Sequence, residues 1–196
     1  AYGWDDLRLE PPLKRTLEAV CAQVEHQGTV LDEWGLRRRY PYGRCVSVLM
    51  SGPPGTGKTM TAQVLASRLG LELYKVDLSQ IVDKYIGETE KRLRQVFDQA
   101  EKSGLILFFD EADALLGKRS EVKDAKDKYA NTEVAYLLQR MEEYQGIVLM
   151  ATNQAGSIVA AFVRRFRYHL VFTLPDEDMR RSIWTDALRG IPAAAL

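Results

Sequence analysis

Eight consecutive residues, Gly52-Pro53-Pro54-Gly55-Thr56-Gly57-Lys58-Thr59, combine backbone freedom with a cation and a hydroxyl at fixed offsets. Glycines let successive N–H groups turn toward one anion, and a helix beginning at the lysine adds the favourable end of its dipole. This is the pattern of a P-loop, which should arise by chance in roughly one chain in a hundred of this length. In that reading Lys58 reaches the β- and γ-phosphates of ATP and the Thr59 hydroxyl ligates Mg²⁺. Further along, the apolar run Leu105 to Phe109 ends abruptly in Asp110-Glu111. The end of a buried strand is a costly place for two carboxylates unless they serve something charged. Asp110 would hold the Mg²⁺ shell, partly through water, and Glu111 would orient and polarise the attacking water. Each motif alone has a plainer reading: a glycine-rich turn with an exposed lysine, and an acidic helix start. Together they point to phosphoryl transfer.

The elements that must position these residues follow from apolar spacing. Val46 to Ser51 reads as a strand, Thr59 to Leu69 as a helix with Ala62, Leu65, Ala66 and Leu69 on one face, and Leu73 to Asp77 as a second strand. The motif thus sits in a βαβ unit, the context it requires. Lys91 to Lys102 carries Leu93, Val96, Phe97 and Ala100 at helical spacing and leads into Leu105 to Phe109. That strand lacks polar alternation, as expected where both faces of a parallel sheet are covered. Val134, Leu137, Leu138 and Met141 mark a further helix, before strands at Ile147 to Ala151 and Tyr168 to Phe172. An amphipathic helix from Pro12 to Val24 precedes the set, and Asp176 can cap a last helix with Ile183, Ala187 and Leu188. Alternating strands and helices predict a doubly wound α/β domain with a parallel sheet.

Composition narrows the function. With 27 basic and 27 acidic residues in 196, the chain has no net attraction for nucleic acid, which disfavours that partner. Cys21 and Cys45 form no CxxC pair and only two histidines, His26 and His169, accompany them, which disfavours a zinc site. Cys21 falls on an apolar helical face and reads as core. No stretch is long enough and apolar enough for a membrane span, and no signal-like start is present, so the default address is cytoplasmic. Asp110-Glu111-Ala112-Asp113 spells the name of a helicase group, but those enzymes stack two nucleotide-binding lobes and this chain has room for one.

The order and spacing of Gly52 to Thr59, Phe108 to Asp113, Ala151-Thr152-Asn153 and Phe162-Val163-Arg164-Arg165-Phe166 resemble the AAA+ ATPases of the classical clade. Lys84 to Lys91 and Tyr129 to Glu142 look like bacterial members, some of which accompany contractile injection systems. The resemblance implies a P-loop NTPase large subdomain over residues 1–175, with 176–196 the first helix of a helical lid that is mostly absent. It implies ATP and Mg²⁺ as cofactors, and a homo-oligomeric, hexameric ring that remodels, unfolds or threads a protein substrate. The alternative is a nucleotide-gated scaffold docked on a partner complex. By the same resemblance Asn153 is sensor 1, Arg164 and Arg165 are arginine fingers acting on a neighbour's site, and Lys84, Tyr85 and Ile86 form a pore loop. Asp6 and Leu7 pass the adenine, and Pro54, Gly55, Thr56, Gly57, Lys58, Thr59 and Met60 surround the nucleotide. Residues 117–128 match the place of a second pore loop. Val159-Ala160-Ala161 departs from the family pattern, which has an acidic residue shortly before the arginines.

Overall fold

The computed structural model describes residues 2–34, 45–81, 88–113, 125–153 and 160–189. Among them, five strands form one sheet: β1 (Val46–Ser51), β2 (Leu73–Asp77), β3 (Ile106–Asp110), β4 (Ile147–Thr152) and β5 (Tyr168–Val171). Their order is β2-β3-β4-β1-β5, and every neighbouring pair is parallel. The helices among the described residues are α1 (Pro11–Gly28), α2 (Lys58–Leu69), α3 (Leu78–Ile81), α4 (Glu88–Ser103), α5 (Ala125–Glu143), α6 (Ala160–Val163) and α7 (Glu177–Ala187).

Strand periodicity divides the core into two layers. Val46, Val48 and Met50 of β1 pack with Leu17, Val20, Ala62 and Leu65 of α1 and α2. Leu49 faces the other way, joining Phe109, Val148 and Met150 with Leu93, Phe97, Leu137 and Met141 of α4 and α5. All six residues of β1 and all six of β4 are buried, as expected for central strands covered on both faces, and the few polar ones, Ser47, Ser51 and Thr152, are buried with the rest. The fold is therefore the parallel α/β sheet expected from the sequence, and Cys21 lies in its first layer, 1% exposed.

Several boundaries differ from the pattern reading, each for a physical reason. Helix α1 extends to Gly28 and passes into a π-helical turn, Thr29–Glu33, because the apolar stripe that ends at Val24 marks only the packed part of the helix. Helix α4 begins at Glu88, where Glu88 and Glu90 sit favourably in the first turn. Helix α5 begins at Ala125, so residues 125–128 are helical and not part of a polar loop. Ala, Lys and Asp can continue a helix without leaving an apolar pattern to read. Strand β5 stops at Val171, although the Phe172 N–H still donates to the Ser51 carbonyl at 2.7 Å. Helix α7 is capped as expected, with the Asp176 side chain accepting from Met179 N–H at 2.8 Å.

Register fixes what the sheet presents. Ser51 pairs with Thr152, and Asp77 pairs with Asp110, so the C-terminal ends of β1, β2, β3 and β4 finish along one edge. Gly52, Asp110 and Asn153 all emerge there, where ligands bind in open α/β sheets. No described helix is long and apolar enough to cross a membrane.

Candidate functional site

The loop after β1 is shaped by two demanding glycines. Gly52 has φ of 146°, and a Cβ there would lie 2.1 Å from the Phe172 carbonyl oxygen, so the close approach of loop and β5 requires its absence. Gly57, with φ of 93°, turns the chain into α2 as its N-terminal cap. Thr56 Oγ1 donates to the Pro53 carbonyl at 2.8 Å and closes the loop on itself. Lys58 folds back beneath it, donating from Nζ to the carbonyls of Gly52 at 2.6 Å and Pro53 at 2.8 Å. At 7% exposure, burial pulls the Lys58 pKa below the usual lysine value, opposed by the carboxylates of Asp110 and Asp113. Thr59 and Met60 follow, half-buried, in the first turn of α2.

Asp110 ends β3 with its side chain 18% exposed. Its Oδ1 accepts from Glu111 N–H at 3.0 Å, and its Oδ2 pairs with Lys75 Nζ at 2.7 Å. Glu111 is the only non-glycine among the described residues with positive φ, at 54°. Such strain persists only where the surroundings impose it, and it concentrates at functional positions. The next residue supplies the constraint, since Ala112 N–H donates to the Ala151 carbonyl at 3.0 Å and ties the turn to β4. Glu111 itself is exposed.

Asp113, which the sequence marks only as the last residue of Asp110-Glu111-Ala112-Asp113, organises the neighbouring strand end. Its carboxylate accepts from the Thr152 hydroxyl, and from Asn153 N–H at 3.0 Å. The backbone of the expected sensor is thus held by the acidic turn, and the Asn153 side chain remains exposed. The signal that could have found Asp113 is its offset of three from Asp110, with a polar Thr-Asn pair closing the adjacent strand.

The expected adenine side lies at one mouth of this edge. A cavity of about 610 Å³, within the range of small-molecule sites, is lined in part by Asp6, Leu7, Gly55, Thr56, Gly57 and Met60. Pro54, Lys58 and Thr59 belong to the adjoining loop and helix start and not to this lining. Met179, Ile183 and Asp186 of α7 form another wall of the cavity, a role that the sequence pattern does not show for these three side chains. Arg8 Nε donates to Asp186 Oδ2 at 2.9 Å, joining the N-terminal segment to α7. Trp4 packs on the first core layer, with the Arg68 guanidinium 4.1 Å from its ring centroid.

Arg164 and Arg165 lie elsewhere, exposed after α6, beside a separate cavity of about 510 Å³ that also borders Ser47, Gln139 and Glu142. Arg165 pairs with Glu142 of α5, whereas no hydrogen bond or ion pair engages the Arg164 guanidinium among the described residues. The two expected fingers are not brought to this chain's own phosphate edge. Lys84, Tyr85 and Ile86 lie outside the described residues, as does most of the expected second pore loop.

Residues 48–174 match the family model described as "ATPase family associated with various cellular activities (AAA)". Similar proteins include ATPase family gene 2 protein of Schizosaccharomyces pombe, 37% identical over 74% of this chain and 18% of that protein. Protein CdcH of Halobacterium salinarum is 33% identical over 94% of this chain and 24% of its own length. Fidgetin-like protein 1 of Caenorhabditis briggsae is 36% identical over 96% of this chain and 31% of its own. The chain therefore spans less than a third of each of these relatives.

Proposed function

Because the chain belongs to the AAA family of ATPases, we propose that it binds and hydrolyses ATP with Mg²⁺ and works as a hexameric ring that remodels, unfolds or threads a protein substrate. The observation that carries the nucleotide chemistry is the convergence at one sheet edge of Lys58, Asp110 and the strained Glu111. The donors offered to a cation there, the Asp110 carboxylate and the Thr59 hydroxyl, are hard oxygens of the kind Mg²⁺ takes. Bound Mg²⁺ would neutralise charge on the phosphates and polarise them toward attack.

The chain's own residues supply the rest. Loop N–H groups and the Lys58 ammonium bind the phosphates, and the low solvent access of Lys58 strengthens that attraction. Glu111 accepts the proton of the attacking water, and Asn153 steadies the water and the terminal phosphate. Asp6, Leu7 and Met60 flank the base in the 610 Å³ cavity. Arg164 reaches a neighbouring subunit's phosphates, so turnover depends on assembly.

Residues 176–196 would begin a lid over that cavity, and Lys84, Tyr85 and Ile86 would grip the substrate. The likeness of residues 84–91 and 129–142 to bacterial relatives that accompany contractile injection systems supports a partner complex as the object of the work. A cytoplasmic location fits such a role.

Sedimentation and ATP turnover of the full-length protein test this reading. Turnover should rise with assembly, Glu111→Gln should lower kcat by about a hundredfold or more while retaining nucleotide, and Arg164→Ala should lower kcat in assembled rings. Turnover independent of concentration and untouched by Arg164→Ala would sink the shared site. Full substrate processing by Tyr85→Ala would remove threading and leave the nucleotide-gated scaffold.

A further inference from the structure

Both oxygens of Asp110 are engaged by this chain alone. Oδ1 takes the Glu111 N–H at 3.0 Å and Oδ2 takes the Lys75 ammonium at 2.7 Å. The pairing follows from register, since β2 sets Lys75 opposite Phe108 and Asp77 opposite Asp110. Lys75 and Asp110 thus occupy one face of the sheet as diagonal neighbours, within reach of a long side chain. Lys58 is the other cation near this carboxylate, but its hydrogen bonds go to the carbonyls of Gly52 and Pro53. The Lys75 side chain is 53% exposed and had water available, whereas the Asp110 side chain is only 18% exposed and gains most from a counter-charge.

We infer that Lys75 is the resident counter-ion of Asp110, a positioning residue that holds the carboxylate in the nucleotide-free site and weakens it for a free divalent cation. The inference rests on the Mg²⁺ assignment proposed above. A carboxylate already neutralised by an ammonium attracts a second cation less, and the two cations repel one another. Phosphate oxygens arriving with the metal add negative charge and offset that repulsion. The site therefore favours the metal–nucleotide complex over the metal alone. A lysine serving only as a cross-strand pair would affect melting without changing metal affinity.

The test titrates Mn²⁺ alone into nucleotide-free, full-length protein and follows the free ion by electron paramagnetic resonance. Lys75→Met and Lys75→Gln should each bind Mn²⁺ about three- to tenfold more tightly than wild type, after discounting for the exposure of the pair. Lys75→Arg, which keeps the charge, should match wild type. The Gln variant retains a hydrogen-bond donor, so it separates charge from orientation and stands in if the Met variant does not melt cooperatively. Placing Asp110→Asn in the Lys75→Met background should remove the gain. Affinity equal to or weaker than wild type in the uncharged variants, or no Mn²⁺ bound by any of them, overturns the counter-ion role. A gain that survives Asp110→Asn overturns the metal assignment itself.

Discussion

The phosphate edge and the arginine edge are both rich in charge, and the chain treats them differently. At the phosphate edge, Lys58 is buried, Asp110 is largely so, and Asp113 bonds two donors on the adjacent strand end. At the arginine edge the Arg165–Glu142 pair is about half exposed on both sides. Buried charges are tolerable only when paired and hydrogen-bonded, so the first arrangement is fixed by one chain. A half-exposed ion pair contributes little and is easily exchanged. The difference teaches which half of the proposed catalytic machinery is preorganised in a single subunit and which awaits another surface.

The sharpest way to break the phosphate edge is Gly52→Ala. The new methyl would meet the Phe172 carbonyl oxygen at 2.1 Å, in a backbone conformation that alanine rarely adopts. Backbone carbonyl and sheet cannot both give way, so a loss of about 3 kcal/mol is expected. For a domain of this size that lowers Tm by roughly 6–12 °C in a thermal melt. A Tm within 2 °C of wild type would show that the loop can move away from β5, contrary to a rigid cradle.

Asp113→Ala is a milder perturbation of the same edge. It removes the carboxylate that holds the Thr152 hydroxyl and the Asn153 N–H, at a cost of about 1–3 kcal/mol. If Asn153 steadies the attacking water, kcat should fall about tenfold, equivalent to 1.4 kcal/mol, with nucleotide affinity within twofold. Turnover and nucleotide binding measured side by side decide it, because equal loss in both would make Asp113 a fold residue only.

The contrast between the edges also explains what the sequence disclosed. Leu105 to Phe109 could be read as a doubly covered strand because both faces of the sheet are packed, and the βαβ setting of Gly52 to Thr59 followed from apolar runs on either side. Those signals are local and periodic. The roles of Asp113, Lys75 and Asp186 were illegible because each depends on a partner from another element: Thr152 on β4, Asp110 on β3, and Arg8 near the N-terminus. The helical state of residues 125–128 was hidden for a related reason, since a helix segment with no apolar stripe carries no period. Arg164 and Arg165 are adjacent and alike in sequence, and only the fold separates one that pairs with α5 from one that does not.

That separation gives the smallest effect. Arg165→Ala removes an ion pair whose members are 52% and 53% exposed, so its loss should cost under about 1 kcal/mol and lower Tm by no more than roughly 4 °C. Glu142→Gln should do the same, and the double variant should be no worse than either single one, because both remove one shared interaction. The effect should also shrink in high salt, as screening weakens exposed pairs first. Melts of the three variants at low and high salt make the comparison. If Arg165→Ala were as damaging as Asp113→Ala and indifferent to salt, the arginine edge would be as preorganised as the phosphate edge. The small, salt-sensitive outcome instead leaves the Arg165 guanidinium free to exchange Glu142 for an anionic group on another surface at little energetic cost.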